Sequence, residues 1–233
     1  MPRRQDQDRV DRFGRAYKGS QRQIQTYVNL RPIELSQRIV EILTPSPPSD
    51  AHLDWVSPLA TKGYAEYRDS EFLEVLQLGK YTDALSEFWP TQGPCWDALA
   101  TLSGDPFKGV ILVEAKSYLN EIYSEGTKAE GSSLRQIEKA LAETKAWLAV
   151  PEFADWKGPL YQSANRLAHL YFLRQVAGVP AWLVNLYFLN DPYKPTTLKE
   201  WRIGLRRVKH EIGMNGILVP FFVELFLKVA DSY

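Results

Sequence analysis

Residues 109–118 read GVILVEAKSY, and this run constrains the fold more than any other part of the chain. Its β-branched, apolar character predicts a buried strand, yet it ends with a carboxylate at Glu114 and an ammonium at Lys116. Side chains alternate along a strand. Ile111, Val113 and Ala115 therefore point into one core layer, while Leu112, Glu114 and Lys116 share the opposite face. Charges at the end of such a run cost desolvation energy unless something compensates them.

A second strand-like segment, GPCWDALATL, lies upstream and contains Asp97. The turn-forming stretch Ser103-Gly104-Asp105-Pro106 separates the two, which predicts a hairpin. A symmetric hairpin about Asp105-Pro106 sets Asp97 opposite Glu114, with Cβ atoms about 4.5 to 5.5 Å apart. Two carboxylates at that separation raise a pKa or recruit a cation. A hard ion such as Mg²⁺, content with one or two carboxylates plus water and a phosphate oxygen, fits that chemistry. Lys116, one step along the same face, can orient or deprotonate a water or hold a phosphate.

Asp97 on one strand followed by Glu114-x-Lys116 on the next resembles the PD-(D/E)XK nuclease superfamily. The resemblance implies a restriction-endonuclease-like α/β core with a mixed central sheet flanked by helices. It implies that Asp97 and Glu114 ligate Mg²⁺ or Mn²⁺ with help from the Ala115 carbonyl, and that Lys116 positions or activates the attacking water. Trp96 stands where the name-giving pattern has proline. The strings FWPTQGPCWDALA and YQSANRLAHLYFL look like those of a group of bacterial proteins assigned to the superfamily, so the likeness spans most of residues 60–225. The implied activity is hydrolysis of phosphodiester bonds leaving 5′-phosphates, with DNA ahead of RNA as substrate. The alternative is a non-catalytic module binding nucleic acid or protein on the same fold.

Acid-x-Lys recurs at Glu143-Thr-Lys145 and Asp155-Trp-Lys157. The first sits in LRQIEKALAETKAWL, whose apolar residues recur at helical intervals, so its two charges do not share a face. The second sits in the loop-like PEFADWKGP.

Helical spacing also places Gln162, Asn165, Arg166 and His169 on one stripe of a segment at 159–177 that lacks the usual Lys and Glu. Amide and guanidinium groups of this kind donate to phosphate oxygens; the alternative is a stripe buried and hydrogen-bonded internally. Gln162, Asn165 and Arg166 are thus supporting candidates, and His169 reads as packed. Glu66 and Glu71, read as lying on a helix before the first strand, are further candidates to support a metal, and periodicity does not choose between them. Arg202, Arg206, Arg207, Lys209 and His210 form a basic cluster on a later helix, either a solvated face or a phosphate contact. Of the tryptophans, a base-stacking platform is one use and core packing the other.

The 28 basic residues balance 28 acidic ones, which excludes a uniformly cationic coat and leaves local patches for any nucleic-acid contact. A lone cysteine, Cys95, excludes an internal disulfide, and its reading is a small packed side chain. The apolar stretch GILVPFFVELFLKVA is too short and too interrupted to span a bilayer. With a polar, arginine-rich start and no leader, the expected setting is the cytoplasm, without membrane contact; a homodimer stays open.

Two regions are expected: 1–50, a loosely held arm, a helical extension and the proline-rich TPSPPSD break, then 51–233 as the α/β nuclease-like domain. Within the latter the pattern predicts a helix over 63–79 closed by Gly79, a first strand in ALSEFWPT, the Asp97 hairpin, helices at 132–150 and 159–178, a nearly continuous apolar strand in PAWLVNLYFLND, a helix with a Thr197/Glu200 capping box, and a final edge strand in GILVPFFVEL.

Overall fold

A computed structural model describes residues 9–230. Its centre is a five-stranded mixed sheet with strands in chain order: β1 His52–Ser57, β2 Ala98–Ser103, β3 Lys108–Lys116, β4 Ala181–Leu189 and β5 Phe222–Lys228. β1, β2 and β3 pair antiparallel, whereas β3, β4 and β5 run parallel. The fold class is therefore α/β, with helices on both faces of the sheet. The apolar run of β4 is buried because it is a central strand with parallel neighbours on each side.

One face is covered by α1 Gly19–Leu30 and α2 Pro32–Val40. Ile24, Tyr27 and Val28 of α1 and Leu35 and Ile39 of α2 pack on Ala98, Ala100, Ile111, Val113, Ala115, Val184 and Leu186. Pro32 at the first turn of α2 separates the two helices, since it has no N–H to continue α1. The boundary expected at residue 50 falls between α2 and β1, and the residues on either side of it share one buried cluster. Helix α1 begins within the stretch 1–23 expected to be a loose arm, where Ala16 and Gln23 are buried and the Ala16 N–H donates to Oε1 of Gln25 just beyond it. The first eight residues of that arm lie outside the described part.

The other face is covered by α3 Asp69–Val75, α4 Thr82–Phe88, α5 Gly131–Leu148, α6 Tyr161–Tyr171, which continues into a π-helical turn at Phe172–Val176, and α7 Leu198–Glu211. The Thr197/Glu200 capping box opens α7 as expected. Two local expectations fail, and a third, the final edge strand, is met with a later start. ALSEFWPT is not a strand: Leu85 and Phe88 are buried one helical turn apart in α4, Glu87 is exposed, and Pro90 follows the end of the helix. Its apparent alternation was too short to outweigh that spacing. The first strand is instead HLDWVS. The helix read over 63–79 shrinks to α3, because Gln77 at φ 62° turns the chain out of it before Gly79. The last strand begins two residues after Pro220, at the sheet edge. No helix among the described residues is long and apolar enough to cross a membrane.

Candidate functional site

The β2–β3 register pairs Ala98 with Val113, which carries Asp97 abreast of Glu114 as the hairpin argument requires. Asp97 precedes the first residue of β2, and its Oδ2 accepts the Ala115 N–H at 2.7 Å. Ala115 turns its methyl into the α1/α2 layer, leaving its backbone to face the acids. Glu114, with a side chain 6% exposed, accepts from Lys116 Nζ at 2.5 Å and from Arg166 Nε of α6. Thus the two constellations found far apart in the sequence meet, and Arg166 is the link.

Arg166 is held in turn by Asn165 Oδ1, the Gln162 carbonyl and the Cys95 carbonyl. Asn165 therefore acts through Arg166. Gln162 lines, with Glu114, Lys116, Arg166, Asn185 and Tyr187 among others, a cavity of about 50 Å³ between the sheet and helices α6 and α7. His169 lies outside this arrangement: it is buried against Phe72, Trp89 and Trp96, its Nδ1 faces the Asn165 carbonyl, and burial pulls its pKa down to about 4.

Glu66 and Glu71 separate. Glu71 is exposed on α3, whereas Glu66 sits in the loop ahead of α3 rather than on a helix, and its charge is felt by Asp97. Gln21 of α1 donates to its Oε1 at 3.1 Å, and Cys95 Sγ lies 3.9 Å from its Oε2. Burial and the neighbouring Glu66 push the Cys95 thiol up to about 11, so little thiolate forms near neutral pH.

Three acids, Glu66, Asp97 and Glu114, thus face two cations, Lys116 and Arg166, and the imbalance appears in their proton affinities. Burial would raise Glu114, but Arg166 and Lys116 outweigh it and hold this carboxyl below its usual range. Burial and the charge of Glu114 push Asp97 well above its usual range. Burial, with Glu114 beside it, lifts Glu66 to about 7. Burial opposes the charge on Lys116, yet Glu114 and Asp97 more than compensate and its proton is held more tightly than usual. In this arrangement Lys116 is held as a positive charge beside the two acids.

Among the described residues no three His, Cys, Asp or Glu side chains converge as a ready metal cage. Mg²⁺ does not need one, since it is commonly held by one or two carboxylates with water and substrate phosphate completing the shell. Hard carboxylate oxygens suit such an ion in donor type.

Sequence reasoning missed Asn185 and Gln21. Asn185 stands in register between Glu114 and Glu224, so a polar row crosses three strands; Asn185 Oδ1 is buried and has no protein partner. Its signal was visible as the one amide in the apolar run AWLVNLYFL. Gln21 carried no signal, because only the packing of α1 brings it to Glu66. No family model, curated protein or solved structure matches the chain.

Proposed function

We propose that the chain is a metal-dependent nuclease of the PD-(D/E)XK type, hydrolysing phosphodiester bonds of DNA ahead of RNA. The observation that carries this reading is Asp97 abreast of Glu114 with Lys116 beside it, at the carboxyl end of a central strand. The sheet, antiparallel at β1–β3 and parallel at β3–β5, supports a restriction-endonuclease-like core.

Asp97, Glu114 and the Ala115 carbonyl would hold Mg²⁺ or Mn²⁺, with Glu66 adding charge nearby. When bound, the ion supplies Lewis-acid polarisation of a phosphoryl oxygen and makes water a better nucleophile. Lys116 orients the attacking water and stabilises negative charge growing on the phosphoryl oxygens. Arg166, its guanidinium taken up by Glu114, Asn165 and the Gln162 and Cys95 carbonyls, fixes the position of Glu114. Water oxygen bonds to phosphorus and gives up a proton to solvent, the P–O3′ bond breaks, and the 3′ oxygen leaves with a proton from solvent, giving a 5′-phosphate and a 3′-hydroxyl.

A second reading is favoured by one observation: Glu114 already takes both Lys116 and Arg166. A closed ion-paired cluster of this kind suits a non-catalytic binding module. Calorimetry with Mn²⁺ in two buffers of different ionisation enthalpy separates the readings. Because Asp97 and Glu66 have raised proton affinities, the nuclease releases protons on taking up the ion, and it cleaves labelled DNA. Asp97→Asn and Lys116→Met then lower the cleavage rate about 100-fold or more. Wild-type protein that takes up no Mn²⁺, or variants that cut at the wild-type rate, would overturn the assignment.

A further inference from the structure

Just beyond Lys116 the chain presents two aromatic rings and two lysines whose role the cluster around Glu114 does not explain. Tyr118 follows the end of β3 and Tyr193 the end of β4, and their rings meet edge to face with centroids 6.3 Å apart. Lys18, at the start of α1, places Nζ 4.0 Å from the Tyr193 ring centre; Lys194 places its own 4.3 Å from that of Tyr118 and 5.5 Å from that of Tyr193.

The nearby acids form no ion pair with these cations. Asp191, 2% exposed, spends its oxygens on Gln23, Ser117 Oγ and the Tyr193 N–H. Glu121 accepts from Ser117 N–H, Tyr118 N–H and Ser20 Oγ. Both carboxylates are turned into the protein, while Lys18 and Lys194 are exposed and neither joins an ion pair among the described residues. Tyr193 is 43% exposed. Six tryptophans, by contrast, are unsuited to a platform: Trp89, Trp96, Trp156, Trp182 and Trp201 are buried and Trp147 is partly buried against the core.

We infer that Tyr118 and Tyr193, with Lys18 and Lys194, form a platform that stacks an unpaired base and holds its flanking phosphates, so that the substrate enters as a single strand or a frayed end. The inference rests on the nuclease reading for its ligand class and deepens it. A ring face accepts any base, and each lysine, flexible on its four-carbon stem, leaves its ring for a phosphate when a base arrives. Bases stacked inside a duplex have no free face to offer, and only its end pairs expose one, which makes the platform selective for strandedness rather than sequence. The position fits the chemistry, since only Ser117 separates Tyr118 from Lys116.

The test is fluorescence anisotropy with the full chain in EDTA, titrated into a labelled single-stranded DNA and into a blunt duplex of the same sequence. Single strand binds about 10-fold or more tighter than duplex; Tyr193→Ala removes most of that preference, Tyr193→Phe keeps it, and Lys194→Ala flattens the dependence of log affinity on log salt by about 0.7. Equal affinity for the two forms, no binding to either, or wild-type affinity in Tyr193→Ala would overturn the platform. With metal omitted, binding is read apart from cleavage. A chain that binds single strands but cuts nothing when Mn²⁺ is restored defeats the nuclease reading alone, and one that cuts duplex without preferring single strands defeats the platform alone.

Discussion

Glu114-x-Lys116 in β3 and Glu143-x-Lys145 in α5 have the same residues at the same spacing and do different things. In the strand both side chains fall on one face, meet at 2.5 Å and share that contact with Arg166 in a nearly closed space. In the helix they diverge: Glu143 reaches back one turn to Lys139 at 4.0 Å, while Lys145 donates to the carbonyls of Glu152 and Ala154 and ties down the loop after α5. The third copy is different again, with Asp155 accepting the N–H groups of Lys157 and Gly158 in a turn, and Lys157 pairing with Glu138 at 2.5 Å. A motif's period against its element's period decides whether two charges cooperate. Burial then decides how strongly.

The contrast can be broken by substitution. Glu114→Ala leaves Arg166 and Lys116 as uncompensated buried charges and costs about 3 to 5 kcal/mol in urea unfolding. Adding Arg166→Met should recover a large part of that loss; a fully additive double variant would show that the two side chains do not interact in solution.

A second effect sharpens the electrostatic side. Glu66 has a folded-state pKa of about 7 against an ordinary 4.5, so the folded protein binds this proton more tightly than the unfolded chain does. The stability from that proton is complete below the unfolded value and is lost as pH rises to about 7. Thermal unfolding followed from about pH 5 to about pH 8 should therefore show a fall in Tm of a few degrees that is smaller in Glu66→Gln. An identical fall in both proteins would remove Glu66 from the cluster.

Lys145→Met removes two carbonyl contacts near the surface and costs about 1 kcal/mol by denaturant titration, with the loop at residues 150–156 becoming more open to proteolysis. Smallest of all, Glu143→Ala stays within about 0.5 kcal/mol of wild type, because its partner Lys139 is exposed. If Glu143→Ala proved as damaging as Glu114→Ala, period and burial would not be what separates the two copies.

Much of the site was legible before any coordinates. The face shared by Glu114 and Lys116 follows from strand alternation, and the opposition of Asp97 follows from a turn that places the hairpin's midpoint. Glu66 could not be separated from Glu71, because both were read on one helix whose period does not extend to Glu66; a loop brings Glu66 inward while α3 turns Glu71 to solvent. The strand expected in ALSEFWPT failed for a related reason, since eight residues fit both a period of two and one of 3.6, and the sheet already had HLDWVS as its edge.

The chain alone thus determined what depends on neighbours in sequence: the turn at Asp105-Pro106, the alternation in β3, the capping box of α7, and the polar stripe of α6. Tertiary structure alone decided which of these would touch. The Arg166–Glu114 contact, the approach of Gln21 to Glu66 and the meeting of Tyr118 with Tyr193 join residues 52, 45 and 75 positions apart. Local periodicity specifies which way a side chain faces, whereas contacts at such separations depend on how helices settle on a sheet to bury their apolar faces, a condition satisfied by the whole core at once.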